Sequence, residues 1–133
     1  MKSIISICIT LFFTFVCACE RVEENYLSEN VEYAAAQYDL LIEKLGKNGK
    51  PWAPRTVDTK GNIVYAHNVW DWTSGFFAGS LWYLYNLTGD EKWKTLAKKY
   101  TETLKQQQYI TSHHDVGFII GCSYLNAYGT GGI

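Results

Sequence analysis

The feature that most constrains the fold is an alternation of two kinds of helical segment along the chain. In segments 31–45 and 93–104, apolar residues recur every three or four positions, which predicts helices with one apolar face. Segments 76–87 and 118–128 are apolar on nearly every side, which predicts helices that are buried all round. The chain is therefore expected to fold as four helices, with the first and third facing water.

Helical hairpins packed side by side around an axis produce this alternation, because each inner helix then contacts neighbours on all sides. A four-helix bundle would instead leave all four helices with a single apolar face. We predict an all-α fold, an α/α toroid of which the chain supplies the first two hairpins. Hairpin repetition makes the inner helices parallel, so Trp72 and Asp115, at their starts, should face the same basin.

Helix ends and turns can also be read from residue type. Ser28 or Asn30 suits the start of the first helix and Thr73 or Ser74 the start of the second, since each can accept a backbone N–H. Gly89 should end the second helix, and Asp90 should cap the third. Between the first two helices, short β-branched patches on either side of 58–62 predict a small hairpin, which we expect to line a cleft.

The first residues read as a secretory signal, because Lys2 precedes an apolar run too short for the roughly 20 residues of a membrane span. A small residue directly before Cys19 favours a lipoprotein, with lipid attached at Cys19. An ordinary signal cut near Ala18 is the alternative. We predict a signal peptide over 1–18 and a mature domain over 19–133, placed in the periplasm or at the outer membrane and touching the membrane through the lipid anchor alone.

Three of the 4 cysteines lie within or at the end of this signal. Cys122 is then alone in the folded part, and Cys19 is taken up by the lipid, so neither a disulfide framework nor a cysteine metal site is possible within the mature chain. Its place in an apolar helix predicts a buried packing role.

His113, His114 and Asp115 stand together at the start of the fourth helix. Asp115 can be an N-cap, which needs no function, or a catalytic or substrate-contacting residue. Helix N-termini favour anions, and the indole of Trp72 can stack on a sugar face. An acidic sugar is therefore the expected ligand. A formal net charge of -1 gives no basis for nucleic-acid binding.

Four blocks of sequence together resemble the amino-terminal third of an unsaturated glucuronyl hydrolase of glycoside hydrolase family 88. They are Pro54-Arg55-Thr56, Trp70-Asp71-Trp72-Thr73-Ser74-Gly75-Phe76, Thr88-Gly89-Asp90 and His113-His114-Asp115-Val116-Gly117-Phe118. The resemblance implies a six-hairpin α/α toroid that releases unsaturated uronic acid from the non-reducing end of lyase-generated glycosaminoglycan oligosaccharides. It implies hydration of the C4=C5 double bond, with no metal and no nucleotide cofactor.

By the same resemblance, Asp115 matches the first of two essential aspartates, with His114 beside it, and Trp72 matches the aromatic residue at the sugar subsite. His113 completes the double-histidine block. The second aspartate belongs to a downstream motif, so we expect this chain to be an incomplete, inactive fragment. Two alternatives stay open: an unsaturated rhamnogalacturonyl hydrolase, against which the double histidine argues, and a non-catalytic glycan-binding lipoprotein fragment.

Overall fold

The computed structural model describes residues 25–47, 52–66 and 71–132, and within them the chain is mainly helical. Its helices are α1 over 25–47, α2 (Ser74–Thr88), α3 (Glu91–Glu102), a short 3-10 helix (Lys105–Tyr109), α4 (Val116–Ile120), a π-helical turn (Gly121–Leu125) and α5 (Asn126–Gly129). The last three follow one another without a break and are called the α4–α5 helix. The all-α class is confirmed, with the addition of one small strand pair.

Some of the predictions fall on residues that the structure leaves undescribed. The signal peptide over 1–18, the lipidation site Cys19 and Trp70 lie outside the described residues. In the three described ranges, no helix combines the length and the hydropathy needed to cross a bilayer.

Helix α1 lies mostly in the first of two compact units, which ends at Glu43. Its least exposed positions are those of the predicted apolar stripe: Val31, Ala34, Ala35, Tyr38, Leu41, Ile42 and Leu45. The predicted start at Ser28 or Asn30 is wrong, because residues 25–30 are already helical. Ser28 Oγ and Asn30 Nδ2 donate to carbonyls of the preceding turn, at 3.0 and 2.6 Å, so both side chains act inside the helix.

The predicted hairpin is present in the second unit, as antiparallel strands β1 (Ala53–Val57) and β2 (Ile63–Ala66). Asp58 holds the turn between them, since its carboxylate accepts the amides of Lys60 and Asn62, both at 2.8 Å. The Asn62 side chain donates a third hydrogen bond to the same carboxylate. These local bonds stabilise the turn and so close the hairpin.

Helices α2 and α3 form an antiparallel pair joined by a tight turn, as predicted. Gly89 ends α2 with φ 68, a conformation that suits glycine, and its N–H donates to the Tyr85 carbonyl. Asp90 caps α3 by accepting the Lys92 amide at 2.9 Å. Between the two helices, the fully buried Trp82 donates its indole N–H to Thr101 Oγ1 at 2.9 Å.

The α4–α5 helix differs from its prediction, since it is apolar but buried on one side only. Ile119, Ser123 and Ala127 are buried, whereas three large apolar side chains are open to solvent: Phe118 (52%), Leu125 (66%) and Tyr128 (75%). Helix α2 packs along the α4–α5 helix, against α4, the π-helical turn and α5 in succession. An apolar sequence shows that a helix can be buried on every side, but neighbours must exist to bury it.

Helices α2 and α4–α5 lie in direct backbone contact through two glycines of α2. A Cβ at Gly75 would overlap the Ile119 carbonyl oxygen, and one at Gly79 would lie 2.5 Å from the Cys122 carbonyl oxygen. Residue numbers increase in the same direction along both helices at these contacts, so the two helices run parallel. The parallel arrangement predicted for the inner helices is therefore observed.

Candidate functional site

Three aromatic rings meet where α2 and α4 begin. The Trp72 ring lies 5.3 Å from the Phe76 ring and 5.8 Å from the Phe118 ring, measured between centroids. Trp72 is 43% exposed, and both phenylalanines are partly open to solvent as well. Because Phe118 follows Asp115 by one helical turn, the indole and the carboxylate lie at the same end of the helix pair. We call Trp72, Phe76, Phe118 and Asp115 the rim.

Asp115 occupies the N-cap position of α4, but its side chain makes no cap hydrogen bond. The backbone carbonyl of Asp115 accepts the Phe118 amide at 2.9 Å, and the carboxylate contacts His114 Nε2 at 3.2 Å instead. The structural N-cap interpretation of this carboxylate is therefore wrong. With its side chain 30% exposed, the carboxylate can meet both solvent and a ligand.

The two histidines have different surroundings. The His114 side chain is 92% exposed and contacts Asp115, whereas His113 is half-buried. An imidazole beside a carboxylate can share a proton with it or orient it. The structure thus places His114, Asp115 and Trp72 at one end of the helix pair, while their roles stay predictions.

Sequence reasoning missed Asp71, which organises the start of α2. Its Oδ1 accepts the Thr73 hydroxyl at 2.6 Å and the Thr73 amide at 3.2 Å, and its side chain is only 7% exposed. Thr73 occupies the N-cap position, as one of the two predicted candidates, but its hydroxyl donates to Asp71, so the expected side-chain cap bond is absent. The Asp-x-Thr spacing is the signal that could have revealed this turn.

Arg55 connects the hairpin to the same turn. The pairing of β1 with β2 shifts between Pro54 and Thr56, which leaves Arg55 as the extra residue of a β-bulge. Its Nη1 lies 3.5 Å from Asp71 Oδ2. The buried carboxylate next to Trp72 therefore has a cationic partner, and the hairpin is tied to the rim end of α2.

Cys122 is half-buried in the π-helical turn and unoxidised. Burial raises the pKa of its thiol above the ordinary value, so the neutral thiol is the stable form near neutral pH. This environment suits a packing role and gives no sign of an activated nucleophile.

Curated proteins similar to this chain are named as hydrolases of unsaturated sugars. An unsaturated glucuronyl hydrolase of Formosa agariphila is 29% identical over 132 residues, which is 93% of this chain and 32% of the relative. A second unsaturated glucuronyl hydrolase, from a Bacillus species, is 35% identical over 53% of this chain and 19% of its own length. An unsaturated chondroitin disaccharide hydrolase of Streptococcus agalactiae is 29% identical over 70% of this chain and 23% of its own.

One similar solved structure is described as an unsaturated glucuronyl hydrolase specific for heparin. It matches 62% of this chain and 22% of its own chain, with 43% identity and a TM-score of 0.59. No family model matches the chain.

These findings define the class first: over 62% of its length, the chain matches part of an α/α-toroid hydrolase. The more specific resemblance is also confirmed, because the chain is a homologue of the unsaturated glucuronyl hydrolases. It spans between about a fifth and a third of the length of the relatives it matches.

Proposed function

We propose that this chain contributes one side of a glycosidase site that binds a terminal unsaturated uronic acid and hydrates its C4=C5 double bond. The observation that carries the proposal is the rim itself. The exposed Trp72 indole lies at the start of α2, and the Asp115 carboxylate, which makes no cap hydrogen bond, lies at the start of α4. These two helices are parallel and in contact at these ends. Sequence pattern alone would also have allowed a purely structural aspartate.

The rim suits a ring that is both flat and polar. A half-planar unsaturated sugar can lie on the partly exposed Trp72 ring, which Phe76 and Phe118 support from two sides. Asp115 stands one helical turn before Phe118, at the same end of the helix pair as the indole on which the sugar would lie.

The proposed reaction consumes one water molecule. A proton is added at C4 and a hydroxyl at C5, giving a hemiketal whose ring opens and then releases the alcohol of the next sugar. We assign a proton transfer in this sequence to Asp115, and the His114 imidazole that lies 3.2 Å from its carboxylate supports this role. A second proton-transfer group is expected from outside the segment that this chain shares with its relatives.

The substrate class has support from the relatives. One is named for chondroitin disaccharide and another is described as specific for heparin, and both names refer to acidic glycosaminoglycans. The positive end of the fifteen-residue helix α2 lies next to Trp72 and favours an anionic sugar.

Binding is tested first, with the whole chain. Calorimetric titration with an unsaturated chondroitin disaccharide should give saturable binding, and the saturated disaccharide should bind more weakly. Trp72→Ala should reduce the affinity by up to about tenfold, the value of one lost stacking contact. Tyr128→Ala is the matched control, because this exposed ring lies 13 residues, or about 20 Å, along the helix from Asp115.

Turnover is tested by the loss of ultraviolet absorbance of the conjugated alkene. The chain alone should show none. A fusion to the remaining part of the Formosa agariphila relative should recover it, and Asp115→Asn in the fusion should abolish it. An absence of binding by the chain together with an active Asp115→Asn fusion would refute the proposed function.

We further propose that the mature chain begins at Cys19 as a lipoprotein exposed to the periplasm or at the outer membrane. The support is the signal-like run that ends in Ala18-Cys19. Labelling cells with a radioactive fatty acid should mark the chain, and Cys19→Ala should remove the label. A labelled Cys19→Ala variant would contradict the anchor.

A further inference from the structure

Gly75 lies at a point where α2 and α4 approach too closely for any side chain. A Cβ at this position would overlap the carbonyl oxygen of Ile119 and would lie 2.8 Å from its Cα, whereas real Cβ contacts essentially never fall below 3.0 Å. Both atoms belong to the backbone, so no rotation of a side chain can relieve the overlap. One of the two helices would have to move relative to the other.

The contacted backbone of Ile119 is itself held in place. The Ile119 carbonyl oxygen accepts the hydroxyl of Ser123 at 2.6 Å, and both residues are fully buried. One turn further, Gly79 faces the Cys122 carbonyl oxygen, which accepts the Asn126 side-chain amide at 2.8 Å. Each glycine therefore packs against a carbonyl group that a side chain four residues later already fixes.

The first of these contacts links the two halves of the rim. Gly75 directly precedes Phe76, and Ile119 directly follows Phe118, so the rings that flank Trp72 are attached to the contact on both sides. The Ile119 amide also donates to the Asp115 carbonyl at 3.3 Å. A displacement of Ile119 must therefore be passed to both Phe118 and Asp115.

We infer that Gly75 is a positioning residue of the proposed site, and that its missing side chain sets the distance between the Trp72 indole and the Asp115 carboxylate. This inference rests on the proposed function. Gly75 touches no substrate in this arrangement. It acts by letting two helix starts lie in contact, and small changes in the geometry of reacting groups have large effects on rate.

The chain offers matched controls for a Gly75→Ala test. Gly79→Ala creates a similar clash with a backbone oxygen, but about 6 Å further from the rim along α2. Gly117→Ala adds the same methyl group within α4 itself, where nothing lies within 4 Å. If Gly75 served packing alone, Gly75→Ala and Gly79→Ala would behave alike.

The first readout needs no ligand. Nuclear Overhauser effects between the Trp72 indole and the Phe118 ring should be present in the wild type, Gly79→Ala and Gly117→Ala, and should be lost in Gly75→Ala. The second readout is the affinity for the unsaturated chondroitin disaccharide, which should fall by up to about tenfold in Gly75→Ala and change little in the two controls.

Retention of both signals in a folded Gly75→Ala variant would overturn the inference. If that variant does not fold, Ser123→Ala takes its place, since it removes the hydroxyl that bonds to the Ile119 carbonyl without creating a clash. Ser123→Ala should weaken the same ring contact, and an unchanged contact would overturn the inference. Failure of the wild type to bind the disaccharide would count against the proposed function instead, while the ring contact would still decide the role of Gly75.

Discussion

Helix α2 carries large apolar side chains on two sides, but only one of these sides is buried. On one side, Trp82 is fully buried, bonded to Thr101 of α3 and covered by Gly132, where a Cβ would overlap its ring. On the other side, Phe76, Tyr83 and Leu87 are exposed. Hydrophobic pattern shows which faces can be buried, and only the neighbouring elements decide which faces are.

The open side of α2 continues onto the α4–α5 helix. Phe76 and Phe118 both contact Trp72, so the exposed apolar residues of the two parallel helices share one side at the rim. A surface of this kind on a protein usually marks a site of interaction. The following predictions test the contrast between the buried and the open side, from the largest effect to the smallest.

Trp82→Ala should show the largest effect, a loss of about 3–5 kcal/mol in the free energy of unfolding. The mutation leaves a cavity and deprives Thr101 of its buried partner. Tyr83→Ala, the next residue but on the open side, should cost less than about 1 kcal/mol. Urea denaturation followed by circular dichroism measures both, and equal costs would break the contrast.

The starts of α3 and α4 provide a second comparison. Asp90→Ala should cost about 1 kcal/mol of stability, because the Asp90 carboxylate caps α3 through the Lys92 amide. Asp115→Ala should cost clearly less, since the Asp115 side chain makes no cap bond. The same denaturation experiment measures the free energy of unfolding of both variants. An equal loss of stability in Asp115→Ala and Asp90→Ala would restore the structural N-cap interpretation.

Leu125→Gln should change the free energy of unfolding by no more than about 0.5 kcal/mol, because this side chain is already exposed. It should instead reduce self-association at high concentration, as sedimentation velocity can show. Ile119→Gln is the control on the buried side of the same helix, and it should destabilise strongly. If Leu125→Gln also destabilised strongly, the open side would in fact be packed.

The smallest effect concerns the hairpin turn and pH. Hydrogen bonds, above all from the Asn62 side chain, lower the pKa of Asp58 below its ordinary value of 3.8. Because the folded-state pKa is lowered, the stabilisation is present above the unfolded pKa and is lost as the pH falls through the folded one. The amide chemical shifts of Lys60 and Asn62 should titrate below pH 3.8. Asp58→Asn should remove this titration.

Local sequence features predicted much of this structure. The stripe of α1, the hairpin, the Gly89 stop and the Asp90 cap each depend on residues close together in the chain. The parallel inner helices and the meeting of Trp72 with the start of α4 were also expected. They followed from the alternation of helix types, which is a property of the whole sequence.

Other features could not be predicted because they depend on distant partners. The Arg55–Asp71 ion pair joins a bulge to a helix start 16 residues later, and nothing local to either residue specifies the other. The close contacts of Gly75 and Gly79 depend on which backbone lies opposite. The side chain of Asp115 looked like a cap, since Asp is favoured there, but it contacts His114 instead.

The sequence by itself determined the helices, their apolar faces, their local stops and the likeness to unsaturated glucuronyl hydrolases. The tertiary structure alone decided which apolar faces are covered, how near α2 and α4 lie and what the carboxylate of Asp115 is free to do. Local structure follows from interactions within one or two turns of chain. Burial and the geometry of the rim depend on surfaces brought together from more than 40 residues apart, such as Trp72 and Phe118.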